Sequence, residues 1–304
     1  MPIKISRNLP ARTQLEAEGV IVIDESTAVR QSLRPIKIGL LNLMPNKIRT
    51  ETQFARLLGA TPLQVNLTLV KITNHISRNT SNKHIVSFYR NWEDIRNQQF
   101  DGFIITGAPI ERLKYEEVTY WEEMCHIFDW TQTNVHGCIN ICWGAQAALY
   151  HFYRMQKYDL SKKAFGVFRN YALDQTSQYL LGFPDNFVIP TSRWTEVRAE
   201  DIPVNSGIKT LMVSKDTGLC LLDDPQHKSL HMFNHIEYDL FSLSEEYFRD
   251  LERGESTEMP HDYFPNNDTS LPPKNRWHNE AKLLFCNWLN DIYQTTPFDL
   301  KEGE

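Results

Sequence analysis

One cysteine of the chain lies in a sequence context typical of a catalytic nucleophile. Cys142 follows an apolar run that predicts a strand, Asn134–Ile141, and precedes a segment of helical composition, Trp143–Phe152. A sharp strand-to-helix turn exposes a nucleophile, and a small residue such as Gly144 relieves the crowding there. The N-terminal end of a helix also favours a thiolate. The pattern predicts nucleophilic catalysis by Cys142, with the Trp143 N–H directed at an oxyanion, whereas a buried core cysteine is the alternative.

A cysteine nucleophile needs a base, and His235 is the histidine with a carboxylate two residues away, Glu237. On a strand, residues i and i+2 face the same side, so we expect both side chains to project together. The carboxylate would then orient the imidazole and stabilise its protonated form. His231 has the same parity but no acidic residue at position 233, so it is the second candidate base. No third ligand accompanies these histidines at a suitable spacing, and we predict no metal site.

The elements around these residues alternate between strands and helices in the first half of the chain. Apolar runs predict strands at Ile36–Leu43, Leu63–Ile72 and Asp101–Ala108. Helical spacing of apolar residues follows the third run, from Val118 to Phe128. This alternation predicts an α/β fold with a mostly parallel sheet flanked by helices on both faces.

The second half of the chain is more mixed and predicts a C-terminal elaboration of that sheet. Strand-like runs occupy Asn186–Val197 and Gly218–Tyr238, and helical patterns occupy Leu243–Glu252 and Glu280–Tyr293. Between the two helices, His261–Lys274 is rich in Pro, Asn and Asp and predicts a surface loop. We divide the chain into an N-terminal arm (1–34), a single α/β domain (35–297) and a C-terminal tail (298–304).

Composition excludes several classes of protein. With 304 residues and 41% hydrophobic side chains, the chain can bury a sizeable core. A formal net charge of −6 argues against a nucleic-acid partner. A bilayer span needs about 18 consecutive apolar residues, and the apolar runs here are much shorter, which argues against a membrane partner. The N-terminus lacks an apolar signal core, and the five cysteines have no regular spacing, so we expect a cytoplasmic protein.

The chain order Cys142, His235, Glu237, with Ile105–Pro109 ending an earlier strand, resembles the class I glutamine amidotransferases. In that superfamily a Gly-rich turn supplies the second oxyanion donor, a role that Gly107 and its neighbour Ala108 would fill here. The elbow departs from theirs because Asn140 stands where they usually have glycine.

Further motifs, spread in order over nearly the whole chain, match a single family: Asn42–Lys47, Ile105–Pro109, Ile141–Ala147, Ser192-Arg193, Thr195–Val197, His235-x-Glu237 and Arg276-Trp277. Together they resemble the homoserine O-acyltransferases of methionine biosynthesis, which share the glutamine amidotransferase fold. The resemblance implies that Cys142 accepts an acyl group from an acyl-CoA as a thioester. It also implies that His235, oriented by Glu237, deprotonates the hydroxyl of L-homoserine, and that the protein forms a homodimer.

The same resemblance implies roles for residues that composition and spacing do not single out. Backbone N–H groups near Gly107 and Trp143 would hold the tetrahedral intermediates. Lys163, Ser192 and Arg249 would bind substrate, and the planar fork of Arg249 suits the homoserine carboxylate. Lys47 would lie near the acyl-CoA end of the site, a weaker assignment than the other three.

The acyl donor depends on Glu111, because in this family a glutamate there accompanies acetyl-CoA and a glycine accompanies succinyl-CoA. Two like charges 4 Å apart cost about 4 kcal/mol at an effective dielectric near 20, so Glu111 would repel the terminal carboxylate of a succinyl group. We expect acetyl-CoA as cosubstrate and no bound cofactor. The alternatives are a homoserine O-succinyltransferase, an amidotransferase-like hydrolase and a non-enzymatic binding protein.

Overall fold

A computed structural model describes residues 3–18, 20, 22–23, 34–73 and 80–297. Its strands are β1 (Ile3–Lys4), β2 (Val22–Ile23), β3 (Ile36–Leu41), β4 (Val65–Lys71), β5 (Tyr89–Asn91), β6 (Phe100–Ile105), β7 (Val135–Ile141), β8 (Tyr158–Ala172), β9 (Asn186–Glu196), β10 (Lys209–Ser214), β11 (Gly218–Asp224) and β12 (Ser229–Met232). Its α-helices are α1 (Ala11–Ala17), α2 (Lys47–Leu58), α3 (Asn82–Phe88), α4 (Trp92–Ile95), α5 (Trp121–Asn134), α6 (Trp143–Tyr153), α7 (Ser242–Glu252) and α8 (His278–Thr295).

All these strands belong to one sheet, in the order β2-β1-β4-β3-β6-β7-β12-β11-β10-β8-β9, with β5 paired to β4. The pairs from β2 across to β12 are parallel. The remaining pairs, from β12 to β9, are antiparallel. The predicted fold class is therefore confirmed, and the C-terminal elaboration is an antiparallel extension of the parallel sheet.

Helices cover both faces of the parallel half, as the alternating pattern predicts. One core joins α1, α2 and α8 to the sheet, with Leu15, Phe54 and Phe285 among its buried residues. The other core joins α4, α5 and α6 to the opposite face, with Trp92 and Phe128 among its members. Helix α8, although it comes from the C-terminal half of the chain, therefore packs on the same face of the parallel sheet as α1 and α2.

The sequence patterns do not predict the long strand β8. Along Tyr158–Ala172, charged residues interrupt the apolar alternation, and much of the strand is exposed or half-buried. Its partner β9 compensates, because the two strands pair over most of their length in antiparallel register. The loop predicted at His261–Lys274 also packs more firmly than its composition indicates, since Tyr263 and Phe264 are buried in a core with Trp277.

Part of the segment predicted as an N-terminal arm enters the sheet. Ile3 pairs in parallel with Val65 of β4 and with Val22 of β2. Its side chain is fully buried together with Leu15 of α1. The segment predicted as a C-terminal tail, 298–304, lies outside the described residues.

Candidate active site

The cysteine elbow lies where strand β7 passes into helix α6. Cys142 has φ 49° and ψ −114°, a conformation that residues with side chains rarely adopt. Two backbone hydrogen bonds hold it: its amide donates to the Met232 carbonyl at 2.7 Å, and its carbonyl accepts from the Gln146 amide at 3.1 Å. The strand, the turn and the helix predicted around Cys142 are all present, and the turn is strained as a nucleophile elbow requires.

Gly144 allows α6 to pack closely behind this elbow. A Cβ atom built at Gly144 would lie 2.8 Å from the Thr106 carbonyl oxygen and 2.9 Å from that of Ile105. Both atoms are backbone atoms at the end of β6, so they cannot rotate away. The small residue expected after the cysteine is therefore required by the packing of helix against strand.

His235 lies in a turn after β12 and not on a strand. Strand β12 ends at Met232, and the Tyr238 amide donates to the His235 carbonyl at 3.2 Å to close the turn. The prediction that strand alternation aligns the pair is wrong, because the chain leaves the sheet directly after Met232 on its way to α7. The pairing itself is present, since His235 Nδ1 donates to Glu237 Oε1 at 2.7 Å and both side chains are buried.

Strand order brings His235 to Cys142. Strands β7 and β12 are parallel neighbours, with Ile141 opposite Met232, so the residues that follow them meet at one edge of the sheet. The Cys142 thiol is one of the groups that act on the charge of the His235 imidazole. Burial alone would lower the pKa of His235, but the charges of Glu237 and Cys142 outweigh burial and raise this pKa well above its ordinary value. The raised pKa favours a protonated His235 imidazole beside Cys142.

Both predicted oxyanion residues border the nucleophile. A Cβ atom built at Gly107 would lie 3.1 Å from the Cβ of Cys142 and 3.7 Å from Cε1 of His235. Trp143 is the first residue of α6, so its amide has no acceptor within the helix. An oxygen that develops negative charge above the Cys142 thiol would find both backbone amides nearby.

The three predicted substrate-binding residues converge on two carboxylates of helix α7. Glu246 Oε1 accepts hydrogen bonds from Lys163 Nζ and from Ser192 Oγ, each at 2.6 Å. Asp250 accepts from Arg249 Nη2 at 2.6 Å and from Lys163 Nζ at 3.3 Å. These five side chains, two cationic, two anionic and one a neutral hydroxyl, form a cluster that we call the α7 charge cluster.

The α7 charge cluster adjoins the cysteine site. The ring of Tyr238 stacks on the His235 imidazole with 4.3 Å between centroids. Burial first, and then the Glu246 and Glu237 carboxylates, raise the pKa of this tyrosine well above its ordinary value. The His235 amide also donates at 2.8 Å to the carbonyl of Pro190, two residues before Ser192 on β9. The structure therefore brings the predicted catalytic and substrate-binding residues together.

Sequence reasoning missed Glu246 and Asp250. On helix α7, Arg249 is three residues and Asp250 four residues after Glu246. This spacing places all three side chains on one face of the helix. That spacing is the signal that could have identified them. It is weak by itself, because exposed helices often carry such pairs.

Glu111 is fixed against the strand that carries Ser192. Its carboxylate accepts a hydrogen bond from the Trp194 amide at 3.3 Å, two residues along β9 from Ser192. The guanidinium of the next residue, Arg112, lies 4.1 Å from the centroid of the Trp194 ring. Burial lowers the pKa of Lys157 to about 8, and Glu111 is the strongest of the charges that oppose this effect. Glu111 thus sits in a half-buried, electrostatically constrained position.

Lys47 lies in a separate buried polar group at the loop after β3. Its ammonium donates to the carbonyl oxygens of Asn42 and Met44 and lies 5.6 Å from the centroid of the Tyr89 ring. Burial lowers the pKa of Lys47 to about 8, with Glu51 opposing that effect. These contacts tie the ammonium to the protein backbone.

The second candidate base, His231, is a core residue. It is fully buried in β12, where its Nε2 lies 3.5 Å from Asp224 Oδ2 and its Nδ1 lies 3.4 Å from Asn140 Nδ2. Among the residues that the structure describes, no three His, Cys, Asp or Glu side chains are grouped so as to hold a metal ion. None of the described helices combines the length and the apolar composition needed to span a bilayer.

Solved structures with the same fold are distant in sequence. A glutamine amidotransferase from Thermotoga maritima matches with a TM-score of 0.54 and 10% identity, covering 86% of this chain and all of the other. A glutamine amidotransferase from Methylobacillus flagellatus matches with a TM-score of 0.54 and 13% identity, covering 85% of this chain and 95% of the other. These likenesses establish a class I glutamine amidotransferase-like fold.

Closer relatives identify the family. Proteins named homoserine O-acetyltransferase from Brucella canis and Brucella suis are each 62% identical over 301 residues, which covers 99% of this chain and 98% of theirs. A family model described as homoserine O-succinyltransferase matches residues 2–298. The two descriptions agree on homoserine as the acceptor and differ in the acyl group. The chain belongs to this family of homoserine O-acyltransferases.

Proposed function

We propose that the protein is a homoserine O-acetyltransferase of methionine biosynthesis that works through a thioester on Cys142. The observation that carries the proposal is the convergence of Cys142, His235 and Glu237 beside the α7 charge cluster. The site then contains a nucleophile and an oriented base. It also contains paired charges that suit a zwitterionic acceptor. Family membership supports acyl transfer to homoserine, and the site geometry supports the covalent route.

In the first half-reaction, the Cys142 thiolate attacks the thioester carbonyl of acetyl-CoA. The tetrahedral oxyanion is held by the backbone amides near Gly107 and Trp143, and loss of one such donor typically costs about 2.7–4 kcal/mol in the barrier. Collapse of the intermediate breaks the bond to the CoA sulfur, which takes the proton of the His235 imidazolium. The products are CoA, an S-acetyl cysteine and a neutral imidazole.

Acylation prepares His235 for the second half-reaction. The thiolate is one of the charges that raise the pKa of His235, and this charge disappears when the sulfur is acylated. The neutral imidazole, still oriented by Glu237, then accepts the hydroxyl proton of homoserine as its oxygen attacks the thioester. Expulsion of the Cys142 thiolate releases O-acetyl-L-homoserine and restores the ion pair.

The α7 charge cluster suits the two ends of homoserine. Arg249 is half-exposed, with 49% of its side chain accessible, so its planar fork can engage a carboxylate from solvent. Glu246 is an acceptor for an ammonium group, and its present partners, Lys163 and Ser192, show that it already binds N–H and O–H donors. This arrangement would hold the hydroxyl of the acceptor in a fixed position relative to His235.

Glu111 favours acetyl over succinyl as the transferred group. Its carboxylate is anchored by the Trp194 amide in a half-buried position, so it cannot easily swing away from a second negative charge. An acetyl group carries no charge and is not repelled, whereas a succinyl carboxylate would be. The names of the Brucella relatives support the same donor.

Intact-mass spectrometry tests the mechanism and the donor together. After incubation with acetyl-CoA and no homoserine, we expect an acetyl adduct on the wild-type protein that homoserine discharges as O-acetylhomoserine. Cys142→Ala removes the nucleophile, so it should give no adduct and no turnover. Cys220→Ala is the matched control, because this cysteine is buried in the same core as Cys142, and it should keep both.

A succinyl adduct formed in preference to acetyl would overturn the donor assignment while keeping the mechanism. Near-normal transfer by Cys142→Ala would contradict the thioester route. If neither donor acylates the wild-type protein, the better hypothesis for its function is an amidotransferase-like hydrolase or a binding protein.

A further inference from the structure

Arg193 is a buried cation that the proposed mechanism does not use. Its side chain lies on β9 next to Ser192 and is only 2% exposed. Nη1 donates to the Thr195 carbonyl at 2.8 Å and Nη2 donates to the Thr217 carbonyl. Within the described part of the chain, Nε has no hydrogen-bond acceptor and no carboxylate lies within ion-pair distance of the guanidinium. A charge buried in this way is strongly unfavourable unless an anion compensates it.

Three acidic groups interact electrostatically with the guanidinium: Cys142, Glu196 and Cys220. Burial raises the pKa of the Cys220 thiol to about 12, so it is neutral at physiological pH. Glu196 is partly exposed and already pairs with Arg198 at 3.2 Å. The remaining group that can supply a compensating negative charge is Cys142, which also has the largest charge interaction with Arg193.

Hydrogen bonds connect Arg193 to the cysteine elbow. The Thr195 carbonyl that accepts from Arg193 also accepts from Gln146 Nε2 at 3.3 Å, and the Thr195 hydroxyl donates to Gln146 Oε1 at 3.0 Å. Gln146 lies one turn along α6 from Cys142 and donates its amide to the Cys142 carbonyl at 3.1 Å. The guanidinium is thus fixed relative to the nucleophile through Thr195 and Gln146.

We infer that Arg193 is a positioning residue whose buried charge stabilises the Cys142 thiolate from the interior of the protein, while His235 does so from the turn after β12. This role rests on the proposed nucleophile, but it adds a second cation to the pair. When Cys142 is acylated, the guanidinium loses its anion. Arg193 therefore also favours return of the thiolate as the leaving group when homoserine attacks.

The test is the pH dependence of Cys142 alkylation by iodoacetamide, without any substrate, followed by peptide mass spectrometry to separate Cys142 from the other four cysteines. The titratable groups around Cys142 in this measurement are His235 and Tyr238 from the turn after β12, and Arg193 from β9. Arg193→Gln keeps amide donors for the Thr195 carbonyl but removes the charge. Arg193→Lys keeps the charge with a different shape.

We expect Arg193→Gln to move the midpoint of the alkylation profile upward by one pH unit or more, which is about a tenfold lower rate at any pH below both midpoints, with the rate recovering at high pH. Arg193→Lys should lie closer to the wild type. Arg198→Met removes a neighbouring exposed cation and should leave the profile unchanged. Because no acyl donor is present, the result does not depend on which thioester the enzyme uses.

Two outcomes would overturn the inference. A wild-type midpoint in Arg193→Gln would mean that the charge does not act on the thiolate. Equal displacement in the Gln and Lys variants would mean that the side chain acts through its shape alone. If Arg193→Gln does not fold, Arg193→Met tests the same loss of charge, since apolar replacement of buried ions is often tolerated. Failure of acetyl-adduct formation with a shifted alkylation profile would instead contradict only the proposed function.

Discussion

At the scale of single residues, the site depends on charges that lie close together under little solvent. Cys142, His235 and Glu237 are each at least 93% buried, so each charge acts at a lower effective dielectric than it would at the surface. The same holds for Glu246 and Lys163, whose side chains are 15% and 13% exposed. Removing one charge from such a group therefore changes the electrostatic energy and the pKa of the neighbouring charged side chains strongly.

Replacing Glu111 by glycine should change the preferred acyl donor. Loss of the carboxylate removes the repulsion of a succinyl group. This repulsion is about 4 kcal/mol by Coulomb's law, which corresponds to a change of up to about a thousandfold in relative affinity. We expect the ratio of kcat/KM for succinyl-CoA to that for acetyl-CoA to rise by a large part of that factor.

Two further variants separate charge from space at this position. Glu111→Gln removes the charge at constant volume and should also raise the ratio if repulsion is the cause. Glu117→Gly, an exposed carboxylate on the same segment, should leave the ratio unchanged. An unchanged ratio in Glu111→Gly would contradict the role given to this carboxylate.

Replacing Glu246 by glutamine should weaken binding of homoserine more than binding of the acyl donor. Its carboxylate holds Lys163 and Ser192, and it is the acceptor that we assign to the ammonium of homoserine. Hydrogen bonds to a charged group contribute about 1.5–3 kcal/mol, so we expect KM for homoserine to rise about 10- to 100-fold. Steady-state kinetics with each substrate varied in turn would measure this.

The neighbouring Glu245→Gln is the matched control for that experiment. Glu245 lies next to Glu246 on α7 but is 61% exposed and pairs with Arg49 instead. Its loss should leave both KM values near the wild type. A similar rise in both variants would point to a general disturbance of helix α7.

At the scale of elements, the elbow depends on close contact between helix α6 and strand β6. Gly144→Ala places a methyl group within 3 Å of two backbone oxygens of that strand, so helix and strand must move apart. Overpacking of this kind typically costs about 1–3 kcal/mol in the free energy of unfolding. We expect this loss in chemical denaturation, together with a lower kcat, because the shift displaces Cys142.

Gly137→Ala, on the strand that leads to the elbow, is the control. A Cβ there would lie 3.4 Å from the nearest atom of Ile292, which is an ordinary contact. This variant should change the free energy of unfolding by less than about 0.5 kcal/mol. Equal losses of unfolding free energy in Gly144→Ala and Gly137→Ala would show that the close contact behind Gly144 is not the cause of the destabilisation.

The elements that periodicity predicts are those whose residues face a single environment. Ile36–Leu41 and Phe100–Ile105 are almost wholly buried, and their apolar runs identify them as strands. Strand β8 has no such signature because its stability comes from pairing with β9, a partner that a local window does not contain. The His235–Glu237 contact was predicted for the wrong reason, since a turn and not strand alternation aligns the two side chains.

At the scale of the whole molecule, the antiparallel half carries a half-buried carboxylate, Asp223, that makes stability depend on pH. Burial raises the pKa of Asp223, on β11, to about 6, and Lys209 only partly offsets this. Because the folded state binds this proton more tightly than the unfolded chain, stability is lost as the pH rises from about 4 to 6.

Asp223→Asn should therefore stabilise the protein at neutral pH and not at low pH. The full shift corresponds to about 3 kcal/mol, and screening of this half-exposed group reduces the expected gain to about 1 kcal/mol at pH 7. Chemical denaturation at pH 4 and pH 8 would measure the change. Asp216→Asn, on the exposed turn before β11, removes the same charge and should give no pH-dependent difference. A gain for Asp223→Asn that does not grow with pH would contradict the argument.

Which residues meet in the site is determined mainly by the order of strands in the sheet and only partly by any one segment of sequence. The cysteine motif identifies its own elbow, because strand, turn and helix are contiguous. Lys163, Ser192 and Arg249 came only from the family resemblance, since β8, β9 and α7 meet through tertiary packing that no local pattern encodes. Glu246, Asp250 and Arg193 escaped sequence reasoning for the same reason.

Strand β12 lies between β7 and β11 in the sheet, yet among the described residues it is the last strand in chain order. During synthesis, β7 therefore emerges from the ribosome long before its partner and must wait with one row of backbone N–H and C=O groups unpaired. Such an open edge can pair with another chain. The nucleophile follows that edge directly, so the nascent chain exposes the thiol and the unpaired strand together until about ninety more residues have been made. Chaperone demand in the cell should accordingly be concentrated in this interval of translation.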